Sequence, residues 1–155
     1  MPTILVVDDE PDIAAAVAGF LEGSIPGLRV FTAGSGDEGL AILRQEPVDL
    51  VLSDYRMPGM NGLEFLKEAY RLAPQGRRML FTAYPDVHLA VRALDEARIL
   101  HFFTKPLDPD TVVAVVQALL EEGVSEGRKR DARRASQPPH RPGGPPPGPS
   151  KEGTG

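Results

Sequence analysis

"VLSDYRMPGMNG", residues 51 to 62, sets an unbroken apolar run against a single aspartate and follows it with a turn rich in Pro and Gly. The run that leads up to it, "DLVLS" at 49 to 53, has the length and branched character of a strand buried on both faces. Asp54 therefore ends a strand. Helix capping does not explain it, because "RMPGMNG" stands between this carboxylate and the next helical stretch.

Working outward, four more short apolar runs have strand length and β-branched or aromatic content: "TILVV" (3 to 7), "LRVFTA" (28 to 33), "RRMLFT" (77 to 82) and "LHFFT" (100 to 104). Helical patterns lie between them. The first starts at Pro11, a favoured first helical residue, and stops at Gly23; the second spans about 36 to 45 and halts before Pro47. The third, "GLEFLKEAYRL", ends ahead of Pro74, and two more cover 85 to 97 and 108 to 122. In the last of these, Val112, Val115, Val116, Leu119 and Leu120 fall on one face, which should pack on the sheet. Five strands each followed by a helix predict an α/β fold, a doubly wound parallel sheet with right-handed crossovers. The first and third strands, continuously apolar, belong at its centre.

Ligands of such sheets bind at the carboxyl edge, where the strand order reverses. The residues that follow the apolar runs are thus the candidates: Asp8, Asp9 and Glu10 after the first strand, Asp54 after the third, Thr82 at the end of the fourth, and Thr104 with Lys105 after the fifth. If the first and third strands are neighbours, Asp8, Asp9 and Asp54 converge. Asp12 reads as a local device at the start of a helix, where an acid caps backbone N–H groups and complements the dipole. Asp8 and Asp9 together exceed what one cap requires. Three clustered carboxylates repel one another unless a cation neutralises them, and an all-oxygen set suits Mg²⁺. Lys105 adds a fixed positive charge and Thr82 a hydroxyl. This combination suits transfer of a phosphoryl group onto a carboxylate: the metal screens charge, Asp54 attacks, and Lys105 and Thr82 hold the phosphoryl oxygens.

"VVDDE", "LVLSDYRMPGMNG", "MLFTAY" and "FFTKPL", in that order and spacing, resemble the receiver domain of two-component response regulators, over residues 3 to about 122. The resemblance implies a flavodoxin-like sheet of strand order 2-1-3-4-5. It implies that Asp54 accepts the phosphoryl group from the phosphohistidine of a sensor histidine kinase or histidine phosphotransfer protein. It further implies Mg²⁺ held by Asp9, Asp54 and the main-chain carbonyl of Arg56, with Asp8 assisting. Thr82 would swing toward the phosphoryl group, and Phe102, three residues before Lys105, would turn inward behind it. Pro106 would be cis. Arg56 and Tyr84, two residues after the aspartate and the threonine, would tune the phosphoryl lifetime; both are bulky, so self-dephosphorylation should be slow. The switch should be read by a downstream protein on the face formed by helix 4, strand 5 and helix 5.

Composition is consistent with this reading. The 155 residues contain no cysteine, which removes disulfides and thiolate chemistry. Residues 1 to 122 hold 10 Lys/Arg against 19 Asp/Glu, net −9, and residues 123 to 155 hold 7 against 3, net +4, summing to the chain's −5. An acidic body is the wrong sign for a nucleic-acid-binding face. The N-terminus has neither a basic leader pattern nor a membrane-length apolar run, so a cytoplasmic protein without a membrane span is expected. Residues 123 to 155 contain seven Pro and seven Gly and are expected to be a disordered tail, basic and then Pro/Gly-rich, adding no DNA-binding domain. Within that tail "RKRDARR" reads as a solvated charge run, and His88 and His101 read as ordinary surface-helix and strand residues. Two rivals remain. A Mg²⁺-dependent aspartyl-phosphate phosphohydrolase usually places an acid two residues after its nucleophile, where this chain has Arg56. An interaction module of the same fold that is never phosphorylated would not need Asp9, Asp54, Thr82 and Lys105 together. The expectation is a phosphoacceptor signalling domain and not a turnover enzyme.

Overall fold

The computed structural model describes residues 1–84 and 86–136, with side-chain surroundings through residue 122. The chain divides into two units, Met1–Gly123 and Val124–Gly155. The first is built from strands β1 (Thr3–Val7), β2 (Arg29–Ala33), β3 (Leu50–Asp54), β4 (Arg77–Thr82) and β5 (His101–Thr104). These alternate with helices α1 (Pro11–Ser24), α2 (Gly36–Gln45), α3 (Gly62–Leu72), α4 (Val87–Ala97) and the first part of α5 (Pro109–Ser136), whose residues from Val124 fall in the second unit. All strands are parallel, in the order β2-β1-β3-β4-β5. This is the doubly wound α/β fold that the alternating pattern predicts. The runs read as continuously apolar, β1 and β3, are buried at every residue and occupy the interior of the sheet, while β2 and β5 form its half-exposed edges.

Alternation along the strands sorts the core into two layers. Leu5, Val7, Val51 and Leu80 face a layer completed by Leu40 of α2, Phe65 and Leu66 of α3, and Leu89 and Ala93 of α4. Ile4, Val6, Leu50, Leu52, Met79 and Phe81 face the opposite layer, with Val17 and Leu21 of α1 and Val112, Val116 and Leu119 of α5. Val115 and Leu120 pack at its margin, so the apolar face foreseen for the last helix meets the sheet. Because β1 pairs with both β2 and β3 while β4 follows on the far side, the strand order reverses between β1 and β3. The crevice this leaves opens above Val7 and Asp54.

Two local readings are corrected. Asp12 is not the N-cap of α1; that position is Glu10, without a side-chain cap bond, and Asp12 stands in the first turn, where it complements the helix dipole. The last helix does not stop near Glu122 but runs to Ser136. Residues 124 to 136 contain no proline and are rich in Ala, Arg, Lys and Glu, good helix formers, whereas the first proline of the segment is Pro138. Residues 137 to 155, where the Pro/Gly-rich tail was expected, lie outside the described residues. Among the described residues no helix is long and apolar enough to cross a membrane.

Candidate phosphoacceptor site

Asp54 is the last residue of β3 and is 4% exposed. Its main chain is held tightly. Ser53, fully buried, donates its hydroxyl to the Asp54 carbonyl at 2.9 Å, and the next residue, Tyr55, donates its N–H to Phe81 O at 2.9 Å. The loop then turns through Gly59, whose φ of 77° suits glycine. It enters α3 at a capping box, in which Asn61 Oδ1 accepts from Glu64 N and Glu64 Oε1 from Asn61 N, each at 2.9 Å. Gly62, the first residue of α3, is required by close approach. A Cβ there would stand 2.1 Å from the Asp54 carbonyl oxygen and 2.8 Å from Tyr55 Cα. Both obstacles are backbone, so the end of β3 would have to move. Gly62→Ala is expected to cost about 2 kcal/mol by overpacking, read as a lowered urea midpoint at unchanged m-value.

Around Asp54 the strand ends bring together the residues that the sequence singled out. One carboxylate oxygen each from Asp8, Asp9 and Asp54 lie within 4.8 Å of one another. Asp8 is fully buried; its Oδ1 accepts from Glu10 N at 2.9 Å, which fixes the turn between β1 and α1. Lys105 arrives from the end of β5, with its N–H bonded to Thr82 O at 2.8 Å. Its Nζ lies 3.3 Å from Asp8 Oδ2 and 3.4 Å from Asp54 Oδ1, and 5.0 Å from the centre of the Phe81 ring beneath it. The Lys105–Pro106 peptide is cis. One ammonium thus bridges two of three acids, leaving an excess of negative charge at a buried edge.

Asp54 registers that excess. Burial pushes its pKa up to about 6 from an ordinary 3.8, the Asp8 charge adds to the rise, and Lys105 and the Tyr55 N–H oppose it. All-oxygen donors at this spacing fit a divalent cation such as Mg²⁺, whose neighbouring ligands stand roughly 3 to 4 Å apart on bonds of about 2.1 Å.

Thr82, 1% exposed, ends β4, and its Oγ1 accepts from Tyr84 N at 3.2 Å. Tyr84 is exposed, and the Arg56 guanidinium stacks on its ring at 4.7 Å, so the residues two beyond Asp54 and two beyond Thr82 meet beside the acid cluster. Phe102 is half-buried at the edge of the core layer that contains Leu80, its register partner. It lies on the same sheet face as Thr82, two pairs back from the strand ends. His88 stands in the first turn of α4 and His101 at the start of β5, away from any acid cluster among the described residues. Sequence reasoning missed Ser53, Gly62 and the Phe81 ring. A small residue on either side of the acceptor loop was the one signal available for the first two.

A parallel five-stranded sheet with acids and a lysine converging at its switch point defines a doubly wound α/β fold with a charged site at its carboxyl edge. Residues 4–117 match the family model for the response regulator receiver domain. The chain is 36% identical over 132 residues to the hydrogenase transcriptional regulatory protein HoxA of Cupriavidus necator, covering 85% of this chain and 26% of that protein. To the transcriptional regulatory protein ZraR of Escherichia coli it is 37% identical over 134 residues, covering 86% and 30%. The chain therefore spans less than a third of the length of these two relatives. A solved CheY-like receiver domain from Methanospirillum hungatei superposes with a TM-score of 0.76 at 30% identity, covering 81% of this chain and 98% of that one. The chain belongs to the response regulator receiver domain family.

Proposed function

We propose that Asp54 accepts a phosphoryl group from a phosphohistidine of a sensor kinase or phosphotransfer protein, and that the resulting acyl phosphate switches binding of a downstream protein. The observation that supports this most is Lys105 Nζ standing 3.3 and 3.4 Å from Asp8 and Asp54 at the carboxyl edge of the sheet. In the transfer an Asp54 carboxylate oxygen attacks phosphorus, the P–N bond of the donor breaks as the P–O bond forms, and the imidazole leaves with a proton. Asp8, Asp9, Asp54 and the Arg56 main-chain carbonyl would hold Mg²⁺, which supplies charge neutralisation for the incoming group. Lys105 and the Thr82 hydroxyl take two of the phosphoryl oxygens. Arg56, in place of an acid two residues after Asp54, weighs against a turnover phosphohydrolase.

The stack of Arg56 on Tyr84 covers one approach to the acceptor, so hydrolytic water reaches the acyl phosphate slowly. Replacing both residues by alanine is expected to speed decay of the phosphorylated form several-fold, followed by intact mass against time. An unchanged lifetime would remove this role.

As the Thr82 side chain swings toward a phosphoryl oxygen its Oγ1 moves away from Tyr84 N, and the loop into α4 loses an anchor. That links the acceptor to a surface already rich in exposed apolar groups: Tyr84 in the loop before α4, Val87, Val91 and Leu94 along α4, and Leu100 ahead of β5. The proposed exit is the α4–β5–α5 face, with Phe102 turning inward as Thr82 departs. Full conversion of a two-state switch takes about 5.5 kcal/mol of differential stabilisation, a scale that several charge-assisted bonds to a phosphoryl dianion can reach. Amide exchange with and without beryllofluoride and Mg²⁺ tests it. Changes are expected within residues 82 to 106, in the loop into α4 above all, that shrink in Thr82→Ala, and changes confined to α1 would refute the route.

A further inference from the structure

Arg78, the second residue of β4, lies at the opposite end of the strand from Thr82. It is 5% exposed, yet no carboxylate stands within ion-pair distance of it among the described residues. Burial draws its pKa below the ordinary guanidinium value, though the group stays charged. Its partners are backbone carbonyls. Nε donates to Ala97 O at 2.8 Å and Nη2 to Arg98 O at 3.4 Å, at the C-terminal end of α4. Nη1 donates to Gly76 O and, at 3.5 Å, to Ala73 O, the C-cap residue of α3. The guanidinium also stacks on Tyr70 of α3 at 4.7 Å.

Two helices therefore end on one cation. The last carbonyls of a helix lack intrahelical partners and carry its partial negative charge, so the C-termini of α3 and α4 together replace the missing counter-ion. The main chain reinforces the junction. Leu100 N donates to Arg78 O at 2.8 Å, and Arg98 is the only non-glycine described residue with positive φ, at 53°. A fork of five donors in one plane suits such a set of acceptors, and a lysine ammonium does not. At the other end of α4 the ties are local: Asp86 Oδ1 accepts from His88 N, and Tyr84 N reaches Thr82.

We propose that Arg78 is the pivot of the switch, pinning the C-terminal ends of α3 and α4 so that release of Tyr84 by Thr82 swings α4 about its last turn. Motion is then greatest at Tyr84, Val87 and Val91 and least at Ala97 to Leu100. This rests on the switch proposed above and specifies which end of α4 carries it.

Amide exchange on the full chain, with Mg²⁺ alone and with Mg²⁺ plus beryllofluoride, tests the pivot in wild type, Arg78→Lys and Tyr70→Leu. In wild type, the mimic is expected to change exchange at residues 84 to 91 and leave 97 to 100 protected. In Arg78→Lys, protection at 97 to 100 is expected to fall about tenfold or more without the mimic, since local opening there loses its anchor. Addition of the mimic should then spread its effect along the whole helix. Tyr70→Leu keeps the fork and should retain the end-to-end contrast. An unchanged 97 to 100 segment in Arg78→Lys, or a wild-type response equal at both ends of α4, overturns the pivot while leaving the switch standing. No mimic response anywhere in wild type removes the switch and the pivot with it.

Discussion

Incubation with Mg²⁺ and a small phosphodonor is expected to add one phosphoryl mass to the wild-type chain and none to Asp54→Ala. The adduct should survive mild acid and be lost in base, as an acyl phosphate is. The effect is all or none because the candidate nucleophile is a single group at the switch point: Asp8 is fully buried and tied to Glu10 N and Lys105, and nothing else in the described cluster presents a carboxylate at the end of β3. Intact mass measures the result directly. The same adduct in Asp54→Ala would place the nucleophile elsewhere and undo the assignment of the site.

Mg²⁺ is expected to raise the melting temperature, since it neutralises a three-carboxylate cluster that exists in the native state alone. A ligand at about 100 times its dissociation constant stabilises by roughly 2.7 kcal/mol, on the order of 10 °C for a domain of this size. Asp9→Ala should remove most of the shift. The pH dependence fixes the sign. In metal-free protein the native Asp54 pKa of about 6 exceeds the ordinary 3.8, so between those values the native state binds more protons than the unfolded chain. The contribution of this group to stability is therefore present below pH 3.8 and is lost as pH rises through 6. Mg²⁺ acts on the ionised form, so its melting shift should be larger at pH 7.5 than at pH 5. Calorimetry at both pH values checks this. No shift at millimolar Mg²⁺, or an equal one in Asp9→Ala, would sink the metal assignment.

Strand ends were readable because apolar runs and the polar residues that stop them are both local in sequence. Once β1 and β3 are placed side by side, Asp8, Asp9 and Asp54 follow, and Lys105 and Thr82 arrive at the same edge from β5 and β4. What escaped depends on contacts between main chain and a distant residue. Gly62 carries no mark that separates a turn from a close approach, since the obstacle is the Asp54 carbonyl eight positions earlier. Arg78, in "RRMLFT", resembles a solvated strand start, and its partners, four backbone carbonyls at and just beyond the ends of α3 and α4, leave no side-chain signature. The end of α5 was misplaced for another reason. Averaging composition over residues 123 to 155 let the prolines from Pro138 onward mask a helix-forming stretch.

The strand order has a bearing on how the protein is made. β2 adds to one side of β1 and β3 to the other; β4 and β5 then follow outward, each next to the strand synthesised just before it. The sheet thus grows outward in the order of translation, with no strand that must later be inserted between two others. The acceptor chemistry does not grow with it. Asp8, Asp9 and Asp54 are in place once β3 has docked, but Lys105, which bridges Asp8 and Asp54, follows the outermost strand. A nascent chain that ends before Lys105 holds the acids without their ammonium, so the proposed competence to accept a phosphoryl group is among the last properties the domain acquires.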